Sequence, residues 1–155
     1  MTDAPLVRKT NGRFRIRIGL GVTILGFVIY LLGAEPGLFR LDRSPVVGFV
    51  QIATFLVGLG IICLGGYLSL AALWNGRQKS IASDIGLRLV STGYVIAVAC
   101  GMADIFGFGS QKYPTTPVLG IYQQVGVMLG EVVIAVGLLL LIPYKRAQPR
   151  IEESI

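Results

Sequence analysis

Apolar residues fall into four long blocks along this chain, separated by short polar segments. The blocks cover residues 18–34, 45–74, 87–106 and 117–143. A helix needs about 20 apolar residues to cross a bilayer, and each block approaches or exceeds that length. The pattern therefore predicts an all-α polytopic membrane protein with four transmembrane helices.

The first block follows a basic segment and could be read as a cleaved signal peptide with its cut after Ala34. The apolar region of a signal peptide is about 7–15 residues long and is followed by small residues at the cleavage site. This block is longer, and Leu32 occupies a position that requires a small residue. We therefore expect an uncleaved first span.

Composition supports a membrane protein without a soluble domain. The hydrophobic class makes up 54% of the residues and the charged class only 14%, whereas a soluble domain has about 25% charged residues. We predict one four-span membrane domain: a basic tail over 1–17, a helical hairpin over 18–74, a second hairpin over 81–143 and a tail over 144–155.

The distribution of Lys and Arg predicts the orientation. Eleven of these residues fall on one side of the predicted spans: Arg8, Lys9, Arg13, Arg15, Arg17, Arg77, Lys79, Arg88, Lys145, Arg146 and Arg150. Three fall on the other: Arg40, Arg43 and Lys112. By the positive-inside rule we expect a multi-pass protein of the plasma (inner) membrane with both termini in the cytoplasm. The net charge of +6 has the same origin, so the lipid bilayer, and no nucleic acid, is the expected partner.

The second and fourth blocks resemble each other. Segments 44–51 and 116–123 share Pro, Val, Gly and Gln at the same positions, 72 residues apart, and Gly58 then aligns with Gly130. The first and third blocks agree more loosely, with Arg17 and Arg88 each opening a span. We interpret the hairpins as duplicated parallel repeats related by a pseudo-two-fold axis along the membrane normal.

Glu131 lies near the middle of the fourth block, which is otherwise uncharged. Intramembrane carboxylates are costly and usually face a bundle interior or a water-filled cavity. We identify Glu131 as a candidate proton or ion site, or as a helix-bridging hydrogen-bonding group, with Tyr94 as its candidate partner. Leu59 occupies the aligned position in the first repeat, so the carboxylate is not part of the shared pattern. Tyr30 is instead expected in the outer aromatic belt.

Small residues spaced four apart predict where the third and fourth spans meet. They are Gly93, Ala97 and Gly101 on one span and Gly126 and Gly130 on the other. Such spacing lets helix backbones approach closely in lipid, where burial of apolar surface does not drive association. Glycine faces are also candidates for association with further subunits or with a second copy.

The sequence has no histidine, and its two cysteines, Cys63 and Cys100, lie inside apolar blocks. We therefore predict no metal, no cofactor and no catalytic activity. The leading hypothesis is an accessory subunit or a self-associating bundle. The alternative is a small oligomeric transporter or channel using Glu131. A second alternative is a quinone-linked membrane redox component, since the DoxX-like proteins are similar in size and in having an apolar Gly-Glu helix, although we recognise no family in the sequence.

Overall fold

The computed structural model describes residues 12–39, 48–74, 80–108 and 120–143, and these ranges are helical apart from turns and helix ends. The four helices are α1 (Gly12–Ala34), α2 (Phe49–Leu73), α3 (Ile81–Gly101) and α4 (Ile121–Leu140), with a short 3-10 turn at Pro36–Phe39 after α1. Each of the four is long and apolar enough to span a membrane. The predicted all-α class and the four apolar spans are confirmed to that extent.

Local sequence explains where α3 begins and ends. It starts six residues before the apolar block because Ser80 caps it, its Oγ accepting a 3.2 Å hydrogen bond from the Ser83 amide. Asp84 and Arg88 on its first turns form an exposed ion pair at 3.4 Å. The helix ends at Gly101, five residues before the block does: the Met102 amide bonds to the Val98 and Cys100 carbonyls, and turns follow as far as Gly107, whose φ is +81°.

Other helix ends also differ from the ends of the apolar blocks. α1 begins at Gly12, six residues before the first block, and thus includes Arg13, Arg15 and Arg17. The predicted starts of the second and fourth spans, Pro45 and Pro117, lie outside the described residues. Within the described residues, α2 begins at Phe49 and α4 at Ile121.

Hairpin α1–α2 is joined along a line of glycines. The buried residues of α1 are Gly19, Gly26 and Gly33, spaced seven apart. A Cβ atom added at Gly26 would lie 2.7 Å from the Ile62 nitrogen and 3.0 Å from the Gly58 oxygen. The two backbones are therefore in direct contact, and only glycine fits. Seven-residue spacing keeps one face of a helix on its neighbour over several turns.

Hairpin α3–α4 repeats this arrangement. A Cβ at Gly93 would lie 2.6 Å from the Gly130 oxygen and 2.9 Å from the Ile134 nitrogen. One at Gly86 would lie 2.6 Å from the Gly137 oxygen. As in the first hairpin, the contacts are made to a glycine oxygen and an isoleucine nitrogen of the second helix, and the glycines of the first helix are seven residues apart. We call each such line of contacts a glycine seam.

The two hairpins meet mainly through α2. Ile52, Leu56 and Leu59 of α2 are 3–6% exposed and share a hydrophobic core with Ala97 of α3, which is fully buried. Gly101 of α3 also faces α2, since its added Cβ would lie 3.3 Å from Leu56 Cδ1. Among the described residues, no Cα atoms of α1 and α4 lie within 8 Å of each other. The α1–α4 side of the bundle is therefore open.

The bundle has two ends, which we name by a residue at each. At the end where α2 and α4 finish, the indole of Trp74 donates a 3.0 Å hydrogen bond from Nε1 to the Leu141 carbonyl. Trp74 is 8% and Leu141 2% exposed. We call this the Trp74 end. The opposite end, where α1 finishes and α2 and α4 begin, is the Glu35 end.

Candidate functional site

Glu131 lies halfway along α4, about 15 Å from either end of the helix at 1.5 Å per residue. Its Oε1 accepts a 2.8 Å hydrogen bond from the hydroxyl of Tyr30 on α1. The bond crosses between hairpins at the place where the helix backbones stand apart. The Tyr30 ring in turn meets Phe55 of α2 edge to face, with centroids 6.1 Å apart and an interplanar angle of 88°. Glu131 is thus held by an oriented group on the other hairpin.

An open cleft of about 430 Å³ runs from Glu131 to the Glu35 end. Its polar lining consists of Tyr30, Glu35, Gln51, Gln124 and Glu131, and its apolar lining includes Phe55, Val127 and Met128. Glu35 follows the end of α1, and the two glutamines lie in the first turns of α2 and α4. Polar groups therefore line a path from the carboxylate at the middle of α4 to the Glu35 end of the bundle. The lining contains two carboxylates and no Lys or Arg.

Tyr94, the predicted partner of Glu131, lies elsewhere. Its hydroxyl donates to the Leu56 carbonyl of α2 at 3.3 Å. It also lines a second cavity of about 720 Å³ between α2 and α3, which is almost entirely apolar. The two predicted site residues therefore line different cavities, and the tyrosine beside Glu131 is Tyr30. Tyr30 is half-buried in the bundle, whereas the sequence suggested a place in an aromatic belt.

The five predicted packing residues lie at two different helix interfaces. Gly93, Ala97 and Gly130 lie together in the α3–α4 seam. Gly126 faces the Cys100 sulfur, which also belongs to α3. Gly101 differs, since it packs on α2. Both cysteines are free, and Cys63 is buried.

Sequence reasoning missed the seam between α1 and α2 and the pair Gly86 and Gly137. The signal was present, because glycine recurs every seven residues at 19, 26 and 33, at 58 and 65, at 86 and 93, and at 130 and 137. A search restricted to four-residue spacing does not find it. The cleft residues Tyr30, Gln51 and Gln124 carried no local signal beyond being polar within or beside apolar blocks.

The chemistry of the cleft is that of an acidic, partly apolar binding site. A carboxylate at mid-depth attracts a proton or a cation, and in a membrane such residues mark ion or substrate pathways. Among the residues that the structure describes, no group of three or more Cys, Asp or Glu side chains could hold a metal ion. No family model, curated protein or solved structure matches this chain.

Proposed function

We propose that this protein is a small non-enzymatic transporter or channel of the plasma membrane in which Glu131 binds and releases a proton or another cation. The observation that carries the proposal is the open polar cleft that joins the Glu131 carboxylate to the Glu35 end. A carboxylate that only bridged helices would need a partner but not a path to the surface. At the opposite end, the hydrogen bond between Trp74 and Leu141 joins α2 to α4.

The proposed duplication of the hairpins supports this function because it identifies the packed interface that corresponds to the cleft. In one hairpin the Gly26 position abuts the Gly58 oxygen and the Ile62 nitrogen; in the other, the Gly93 position abuts the Gly130 oxygen and the Ile134 nitrogen. Equivalent contact residues on α2 and α4 are 72 residues apart, the offset found in the sequence. Equivalent residues on α1 and α3 are 67 apart, which differs by four from the 71 residues that separate Arg17 and Arg88.

With these offsets, the α1–α4 cleft corresponds to the packed interface between α2 and α3. On α4, Gln124, Met128 and Glu131 occupy the positions of Ile52, Leu56 and Leu59 on α2. On α1, Tyr30 and Ala34 occupy those of Ala97 and Gly101 on α3. The α2–α3 set is packed into the core, whereas the α1–α4 set is polar and open. In transporters built from internal repeats, the binding site lies at the interface between the repeats, and the α1–α4 gap is such an interface in the proposed duplication.

The chemistry follows from these positions. The hydroxyl of Tyr30 holds one oxygen of Glu131 by donating a hydrogen bond to it. A cation or proton that arrives through the cleft and binds the carboxylate competes with this hydrogen bond and weakens it. With that hydrogen bond weakened, α1 and α4 can move closer together and pack as α2 and α3 do. Binding at Glu131 would in this way be coupled to a movement of one hairpin relative to the other.

The direction of access depends on orientation. The eleven-to-three distribution of Lys and Arg favours both termini in the cytoplasm. The Trp74 end is then cytoplasmic and the cleft opens to the outside.

A reconstituted flux measurement tests the proposal. Purified protein is placed in liposomes, a potassium gradient with valinomycin sets the membrane potential, and internal pH is followed with a trapped dye; sodium uptake is measured in parallel. We expect a protein-dependent flux that Glu131→Gln abolishes, because an amide cannot titrate or carry charge. Asp84→Asn removes an exposed carboxylate and should leave flux unchanged. Wild-type liposomes no more permeable than protein-free ones would contradict the proposal.

A second candidate, an accessory subunit packed against another membrane protein, is favoured by the apolar cavity between α2 and α3. Its lining includes Val57, Gly60, Ile61, Leu64 and Val95. A transmembrane helix of a partner would fill such a groove. Extraction in mild detergent tests this candidate: a stoichiometric partner should be lost when Val95→Trp, at an exposed wall residue, fills the groove. The seam glycines give this candidate no support, since they are occupied within the hairpins.

A further inference from the structure

We infer that the Glu131 cleft takes a monovalent organic cation, an amine or quaternary ammonium carrying an apolar body. The inference rests on the proposed function, since it names the substrate class of the same site. The cleft has about 430 Å³, within the roughly 300–1,000 Å³ typical of small-molecule sites. A bare proton or alkali ion would leave most of that volume unused.

The charges of the lining select a cation. Glu131 lies at the inner end of the cleft and Glu35 near its mouth, and no basic residue lines the space between them. Tyr30 engages Oε1 of Glu131, and the second carboxylate oxygen remains for an ammonium group. An anion would meet two carboxylates and no counter-charge.

The remaining walls favour an organic cation over a metal ion. Ca²⁺ takes six to eight oxygen ligands, and Mg²⁺ requires octahedral geometry; the deep part of the cleft offers one carboxylate and one phenol. It offers instead the rings of Tyr30 and Phe55, held edge to face. Aromatic faces bind quaternary and protonated amines without dehydrating a small ion. Val127 and Met128 supply apolar contact for the rest of the molecule.

Calorimetric titration of the purified protein in detergent tests the inference, with benzyltrimethylammonium as the probe. Phenylacetate, of similar shape and opposite charge, and sodium are the comparison ligands. We expect benzyltrimethylammonium alone to bind. Glu131→Gln should weaken binding at least about tenfold, and Phe55→Leu by about two- to thirtyfold, the range that cation–π contacts span. Asp84→Asn makes the same change of charge outside the cleft and should bind within twofold of wild type.

Two variants keep the result interpretable if Glu131→Gln lowers stability. Glu131→Asp keeps the charge and should bind more tightly than Glu131→Gln. Tyr30→Phe keeps the ring and should bind more tightly than Tyr30→Leu. Binding of phenylacetate as strong as that of benzyltrimethylammonium, or equal binding by wild type and Glu131→Gln, would overturn the inference.

The flux assay on the same preparations separates this inference from the proposed function. Glu131-dependent proton or sodium flux without binding of the organic cation overturns the inference and leaves the ion site. Glu131-dependent binding without any flux, including uptake of radiolabelled benzyltrimethylammonium, supports the inference and overturns transport. If the protein shows neither binding nor flux, both the inference and the proposed function are overturned.

Discussion

The hydroxyl of Tyr30 donates a 2.8 Å hydrogen bond to Glu131, 101 residues away in sequence and on the other hairpin. It is the direct polar link between α1 and α4 among the described residues, and it spans a gap that the helix backbones do not close. Its role in stability and its role in function are separable, because different substitutions remove the bond and the charge.

The first prediction makes that separation. Tyr30→Phe deletes the hydrogen bond and keeps the ring against Phe55, so we expect it to lower the free energy of unfolding by about 0.5–1.5 kcal/mol. Glu131→Leu, which copies Leu59, should cost no more than about 1–2 kcal/mol. Glu131→Gln keeps a donor and an acceptor and should be nearly neutral. Unfolding in mixed detergent followed by circular dichroism measures all three.

If the pair serves only to bridge helices, flux should follow stability, so that Glu131→Gln remains active and Glu131→Leu is impaired. For an ion site, both substitutions abolish flux whatever their stability. A Glu131→Gln variant with normal stability and normal flux would leave the bridging role as the whole role of the carboxylate.

The second prediction concerns the glycine seams. A Cβ at Gly93 would lie 2.6 Å from a backbone oxygen, so Gly93→Ala must push α3 and α4 apart. Overpacking of this kind costs about 1–3 kcal/mol. Gly21 on α1 has nothing within 4 Å of an added Cβ, and Gly21→Ala should be neutral or stabilising by up to about 1 kcal/mol. Thermal unfolding in detergent compares the two, and equal midpoints would contradict direct backbone contact.

Hydropathy alone was sufficient to place the four spans, because crossing a bilayer imposes a length that composition reveals directly. The boundaries were less accurate: α3 begins at Ile81 because of the Ser80 cap, and it ends at Gly101, where turns replace the helix inside the apolar block. Caps and turns depend on one or two residues, so a window of apolar residues averages them away.

The candidate site was predicted only in part. Glu131 stood out because a lone carboxylate in an apolar block is costly wherever the helix packs. Its partner depended on which helix lies opposite α4 and at what rotation. Chain proximity favoured Tyr94 on α3, but the glycine seam turns a different face of α4 toward α3, and the face bearing Glu131 looks toward α1. That rotation is set by the seven-residue glycine spacing, which could have been read from the sequence.

The third prediction uses the single tryptophan. Trp74 is 8% exposed and its indole is hydrogen-bonded to Leu141, so its fluorescence should resist quenching by acrylamide. Leu141 supplies the acceptor through its backbone, so the matched change is Trp74→Phe, which removes the donor and keeps an aromatic ring. We expect a loss of about 0.5–1.5 kcal/mol. Quenching as strong as that of free tryptophan would mean that the Trp74 end is open.

The fourth prediction is the topology. A reporter active only outside the cytoplasm is fused after Arg43, Gln78, Lys112 or Arg150. From the Lys and Arg distribution, fusions at Arg43 and Lys112 should be active. Activity at Gln78 or Arg150 instead would invert the orientation and place the cleft on the cytoplasmic side, which would reverse the direction from which a cation enters.

The fifth prediction tests the duplication at two surface positions. Val50 and Tyr122 are 74% and 84% exposed and lie 72 residues apart, so labels at these positions disturb neither seam nor cleft. If a pseudo-two-fold axis along the membrane normal relates the hairpins, a spin label at each should have the same depth. Relaxation by oxygen and by a water-soluble nickel complex measures that depth. Values differing by more than one helical turn, about 5 Å, would break the equivalence. Without it, the open α1–α4 interface would lose its packed α2–α3 counterpart, and the polar cleft would no longer stand out as a departure from a shared scaffold.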